Sequence, residues 1–98
     1  MKQGRRVRDE YFSVFGIPNL LLHGRLGLTV SKKVSLRAVD RNRIKRQVRE
    51  SFRAHQADMT GLDVVVMAYP QARSAGAPAL RQSLHKHWER IAQQCKKF

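Results

Sequence analysis

Carboxylates are scarce in this chain: Asp and Glu together number 7 against 20 Lys and Arg in 98 residues, a formal charge of +13. A protein so charged repels itself unless a polyanion relieves it, and nucleic acid is the polyanion expected. The same scarcity weighs against hydrolysis by the chain itself. Asp9 and Glu10 alternate to opposite faces of an expected strand, and Asp40, Glu50, Asp58, Asp63 and Glu89 are far apart in sequence. No pattern suggests a two-metal nuclease or a nucleophilic triad, and no metal site is expected. Cysteine is limited to Cys95, which excludes an internal disulfide and agrees with a reducing compartment. No apolar run approaches the roughly 20 residues that span a bilayer, and no signal-peptide core opens the chain, so a soluble, cytoplasmic protein is expected. Gly-rich phosphate loops and dinucleotide fingerprints are also missing. His85 and His87 stand about 200° apart on an expected helix and do not chelate one metal, while His23 and His55 stand alone and read as surface residues.

What is present is concentrated. Residues 1–55 carry +10 of the net charge, and the densest stretch is Ala38–His55, AVDRNRIKRQVRESFRAH. Ile44, Val48 and Phe52 recur every four residues and form one narrow apolar stripe on a helix. Arg41, Lys45, Arg49 and Arg53 make a second row, with Asn42 and Arg46 beside it, centred about 100° round the axis from that stripe. An ordinary solvated face mixes signs to gain i,i+4 pairs. Here like charges stand in i,i+4 contact, which destabilises a lone helix, and only Glu50 answers them. The row fits phosphates: Arg offers a planar fork of donors, Lys a compact charge, and Asn a neutral donor and acceptor for a base edge or 2'-hydroxyl.

Arg41-Asn42-Arg43-Ile44-Lys45-Arg46, with Arg49 following, resembles the RNR motif of the protein subunit of bacterial ribonuclease P. Leu26-Gly27-Leu28-Thr29-Val30-Ser31-Lys32-Lys33 is similar to the strand and turn that precede this helix in the family, and Asp63-Val64-Val65-Val66-Met67-Ala68 with Pro70 to the strand after it. Three motifs in order span most of the chain and are far more specific than one basic run. The resemblance implies an α+β two-layer sandwich: a small mixed sheet of three to four strands with helices packed on it, in β-β-α-β-α order, forming a single RNA-binding domain over residues 1–98. It also implies a ribosomal-protein-like fold with a left-handed βαβ crossover, against the usual right-handed rule. Family members usually begin with an aromatic-bearing helix that walls a cleft. Gly4 aligns just after that helix, so it is expected to be missing here, and the face it would cover is expected to favour self-association.

In that family the RNA subunit is the catalyst, maturing the 5' end of precursor tRNA with Mg2+ held by RNA and substrate. The resemblance therefore implies a protein that is not catalytic alone and binds no cofactor itself. Arg41, Asn42, Arg43, Lys45, Arg46 and Arg49 would contact the ribonuclease P RNA, and the sheet-side cleft would receive the single-stranded 5' leader. Lys32 and Lys33 read either as a solvated turn or, because they lead into the basic helix, as further phosphate contacts.

The remaining segments are coarser. Val7–Ile17 reads as one strand, with Phe12 and Val14 in the core; Tyr11 and Phe15 fit either core packing or stacking of unpaired bases. Pro18–Arg25 reads as the turn of a hairpin, its leucines Leu20 to Leu22 free to lengthen the strands. Leu26, Leu28 and Val30 face one way, and Thr29 and Ser31, on the small polar face, join Tyr11 and Phe15 as weaker candidates for the leader path. Ser35 or Asp40 caps the basic helix. Thr60-Gly61 ends that segment, and Asp63–Tyr69 reads as a strand covered on both faces. Pro70–Pro78 is loop. Leu80, Leu84, Trp88 and Ile91 mark the apolar face of a last helix, with Trp88 read as core rather than as a stacking platform, and Cys95–Phe98 as a frayed tail. Three other classes share part of this pattern: a general basic ribosomal-type RNA-binding protein, a DNA-binding module, and a metal-dependent nuclease acting alone. A DNA reader would need a helix-turn-helix partner, whereas this helix lies between strands.

Overall fold

Residues Arg5–Arg8 (β1) and Phe12–Pro18 (β2) form an antiparallel hairpin in the computed structural model, which describes residues 4–95. The sequence reads one strand there. Asp9 breaks it, because its Oδ1 accepts the backbone N–H of Tyr11 at 2.8 Å and of Phe12 at 3.0 Å, turning the chain back on itself. The chain continues through β3 (Arg25–Thr29), α1 (Ala38–Ala54), a 3-10 turn (Gln56–Met59), β4 (Leu62–Ala68), a second 3-10 turn (Pro70–Ser74) and α2 (Ala77–Cys95). The observed order is thus β-β-β-α-β-α, one strand more than expected.

The four strands lie in the order β1-β2-β4-β3. β4 pairs antiparallel with β2 and parallel with β3, so α1 is the crossover between two parallel neighbours. β2 and β3 therefore do not pair as the expected hairpin, since the most apolar strand sits between them. Their leucine loop lengthens neither strand: Leu20 and Leu22 are 97% and 95% exposed. Asn19 shapes that loop instead, its Oδ1 accepting the Leu21 N–H while its Nδ2 donates to Asp63.

Both helices cover one face of the sheet. α2 lies over β1 and β2, and α1 over β3. Val7, Phe12, Val14, Leu62, Val64, Val66 and Ala68 point into this layer and are buried, meeting Ile44, Val48 and Phe52 from α1 and Leu80, Leu84, Trp88 and Ile91 from α2. Trp88 is core, edge-on to Phe52 with ring centroids 5.7 Å apart. Gly16 lets α2 come close, since a Cβ there would lie 2.7 Å from Ile91 Cγ2. Cys95, expected in a frayed tail, is buried in the last turn of α2, and burial pushes its thiol pKa up, as for an inert core thiol. Lys96 to Phe98, and Met1 to Gln3 of the basic lead, lie outside the described residues.

Several local expectations are corrected by packing. Arg37 occupies the N-cap of α1 with no side-chain cap. Ser35 instead accepts the Arg37 N–H and donates to Asp40, so both proposed caps are spent on the turn. His55 is not alone, because the α1–α2 contact brings its Nε2 to 2.8 Å from His85 Nδ1. His87 is buried, with Nε2 3.3 Å from Asp9 Oδ1. No helix among the described residues is long and apolar enough to cross a membrane.

Candidate nucleic-acid interface

α1 carries its charge on the flank turned away from α2. Ser51 and His55 bond α2 through Trp88 and His85, and the row Arg41, Lys45, Arg49, Arg53 lies about 120° round the axis from them. Since α2 sits over β1 and β2, this flank overlooks the β3 edge of the sheet. Asn42, Arg46, Arg49 and Arg53 are exposed, and Lys45 is half-buried. Arg41 is half-buried too, its Nη1 donating to the Ser35 carbonyl at 2.9 Å. Lys32 and Lys33, both exposed, follow β3 in the turn that leads towards α1.

Arg43 is placed differently. It stands on the opposite flank of α1 and donates from Nη2 to the Arg73 carbonyl at 2.9 Å and from Nη1 to the Ala75 carbonyl at 3.4 Å. It straps α1 to the turn before α2, a role invisible in a motif read as a block.

The second surface is the sheet face that neither helix covers. β4, expected to be covered on both sides, is covered on one: Val65 and Met67 are 48% and 43% exposed. Register sets the rows across this face. Arg6, Phe15, Val65 and Gly27 lie side by side; Arg8, Ser13, Met67 and Thr29 form the next row; Ile17, Asp63 and Arg25 form a third. The floor is apolar, with arginines at the β1 edge and a glycine and a threonine at the β3 edge. The Arg6 guanidinium carbon lies 5.8 Å from the Phe15 ring centroid, a cation–π contact that keeps charge beside the ring. On the third row Arg25 grips Asp63 with two hydrogen bonds, at 2.7 and 2.6 Å.

Of the four weaker candidates, the fold gathers two on this face. Phe15 and Thr29 belong to it. Tyr11 sits at the strand end, packed against the core and lining a cleft with Gln71, Ser74 and Ala75. Ser31 lies beyond β3, its Oγ accepting the Lys33 N–H at 3.2 Å. Sequence reasoning missed Arg6, Arg8, Ile17, Val65 and Met67. The alternation of Arg6, Val7 and Arg8 is the signal for the first two, once the strand break at Asp9 is known. Val65 and Met67 gave no signal, because a continuous apolar run looks the same whether one face or both are covered.

The family profile described as Ribonuclease P matches residues 1–92. The chain is similar to the ribonuclease P protein component of Methylococcus capsulatus, 48% identical over 90 residues that make up 92% of this chain and 70% of that one. Its counterpart in Idiomarina loihiensis is 42% identical over 88 residues, 90% of this chain and 70% of that one. Among solved structures, the fold is similar to the ribonuclease P protein of Staphylococcus aureus, with TM-score 0.81 at 36% identity, covering 94% of this chain and 84% of that one. The protein from Thermotoga maritima superposes with TM-score 0.82 at 33% identity, covering 92% and 88%. The charged crossover helix and the mixed four-stranded sheet are thus shared with ribonuclease P proteins of known structure, and the chain belongs to the ribonuclease P protein family, the protein partner of ribonuclease P RNA in tRNA processing.

Proposed function

We propose that this chain binds the catalytic RNA of ribonuclease P through the basic flank of α1 and receives the 5' leader of precursor tRNA across the open face of its sheet. The observation that carries this reading is the open face itself, an apolar floor of Phe15, Val65 and Met67 beside Arg6 and Arg8. Single strands are held by such platforms, where bases meet apolar or aromatic groups and cations follow the backbone. A duplex offers phosphates and suits the row Lys45, Arg46, Arg49 and the neighbouring Asn42. Two faces of one small domain then contact two polyanions and lower the repulsion between them, which reduces the magnesium needed for substrate binding. The chemistry belongs to the RNA, with Mg2+ held by RNA and substrate; the protein positions.

The test is cleavage of precursor tRNA by a bacterial ribonuclease P RNA at low magnesium, with and without the chain, beside a protein-only control. Stimulation only when the RNA is present is expected, with Phe15→Ala and Met67→Ala reducing the preference for precursor over mature tRNA. Failure to bind the RNA would sink the reading, and cleavage by protein alone would replace it with a nuclease. Without RNA, the same apolar face favours pairing with a second copy, which light scattering reads directly; a clean monomer at about 100 μM would remove that part.

A further inference from the structure

Leu36 and Val39 are 82% and 64% exposed, yet they do not stand on a loose loop. Val34 and Ser35, just before them, are buried. Ser35 Oγ donates to Asp40 Oδ2 at 2.9 Å and accepts the Arg37 N–H at 3.1 Å, its carbonyl accepts Arg41 Nη1 at 2.9 Å, and the Val34 N–H donates to the Ser31 carbonyl at 3.0 Å. Leu36 is therefore pinned by the residues around it and still projects into solvent. Val39 opens the outer face of α1 one turn before Asn42 and two before Arg46, an i, i+3, i+7 series. Lys32, Lys33 and Arg37, all exposed, stand within four residues of Leu36 in the chain, and exposed Arg46 stands two turns along the helix from Val39.

An apolar knob in a cationic setting matches a ligand that has an apolar face with anions beside it. A regular duplex presents phosphates and sugars but no free base face; a nucleotide flipped out of its stack presents both. We propose that Leu36 and Val39 form the contact for one unstacked nucleobase of the ribonuclease P RNA, with Lys32, Lys33 and Arg37 holding its flanking phosphates. This rests on the reading of α1 as the RNA-binding helix and adds a non-electrostatic, shape-selecting element to it. The turn that Ser35 holds is formed before binding, so little conformational entropy remains to be lost.

The experiment titrates a bacterial ribonuclease P RNA with the chain, its Leu36→Ser, Val39→Thr double variant and an Arg46→Ala variant across a salt series. The double variant is expected to weaken binding about tenfold at every salt concentration with the slope unchanged, because it removes apolar contact and no cation. Arg46→Ala is expected to flatten the slope. Chemical probing should show one single-stranded nucleotide gaining reactivity with the chain and not with the double variant. Wild-type affinity in the double variant, with the Arg46→Ala slope still reduced, overturns the base contact and leaves the helix reading intact; no effect in either variant removes both. Binding to phosphatidylglycerol vesicles that needs Leu36 and Val39, with RNA affinity unmoved, would assign the patch to a membrane surface and also overturn the proposal. Both side chains are exposed, so unchanged thermal unfolding is expected in the double variant and confirms that folding is not the cause.

Discussion

Trp88 Nε1 donates to Ser51 Oγ at 2.7 Å, from the buried centre of α2 to the inner flank of α1. This bond, with the edge-on packing of Trp88 against Phe52, fixes the rotation of α1 about its axis, and that rotation decides which way the basic row points. Replacing Trp88 by Phe retains most of the packing and leaves Ser51 without its donor, so a loss of about 1–2 kcal/mol is expected. Trp88→Ala opens a cavity and should cost about 3–5 kcal/mol. Denaturant unfolding measures both, and a value near zero for Trp88→Ala would contradict the assigned core.

The arginines of the RNR stretch should separate into two classes. Arg46→Ala and Arg49→Ala remove exposed cations and should each reduce the salt slope of RNA binding by about 1, with little effect on unfolding. Arg43→Ala instead removes the strap to Arg73 and Ala75. It should lower stability by about 1–2 kcal/mol, as expected for losing hydrogen bonds from a charged donor. A full unit of slope lost in Arg43→Ala with unchanged stability would return it to the RNA-contacting group.

Acid should loosen the edge of the open face. Hydrogen bonds from Arg25, then from Asn19, hold the Asp63 carboxyl down at about 2, against an ordinary value of 3.8. A depressed carboxylate stabilises the fold above its unfolded pKa, and that contribution is lost as pH falls through the folded one. The stability difference between the wild type and Asp63→Asn should hold steady at neutral pH and shrink between 3.8 and about 2. Asp9 acts in the same direction. Burial alone would raise its pKa, but hydrogen bonds from Ser83 and the Phe12 and Tyr11 N–H groups, together with His87, lower it. Acid titrations of Asp63→Asn and Asp9→Asn by circular dichroism check both, and a gap that widens on acidification would reverse the sign.

Close approach of α2 to β2 depends on Gly16. A side chain there meets Ile91 Cγ2 at 2.7 Å and Cys95 Sγ at 3.2 Å. Gly16→Ala should destabilise by about 1–3 kcal/mol through overpacking, and Gly16→Val by more. Ile91→Ala, which removes that Cγ2, should make Gly16→Ala less costly than it is in the wild type, and a double-mutant cycle reads the difference as coupling.

The sequence by itself determined whatever depends on period and charge. Ile44, Val48 and Phe52 set the buried stripe of α1, Leu80, Leu84, Trp88 and Ile91 that of α2, and the unbalanced cations beside the first stripe marked α1 as the helix proposed to meet a polyanion. Helical spacing carries that information locally. Tertiary structure decided the rest. The Asx turn at Asp9 split one apparent strand into two and placed Arg6 and Arg8 beside Phe15. Insertion of β4 between β2 and β3 set the rows that join Phe15 to Val65 and Met67. Placement of both helices on one side of the sheet left an apolar face open, and the strap from Arg43 separated it from its neighbours in the motif. Apart from the Asp9 turn, which local bonds make, each depends on which distant segments meet, and a strand's own residues record that it is apolar, not which of its faces a helix covers.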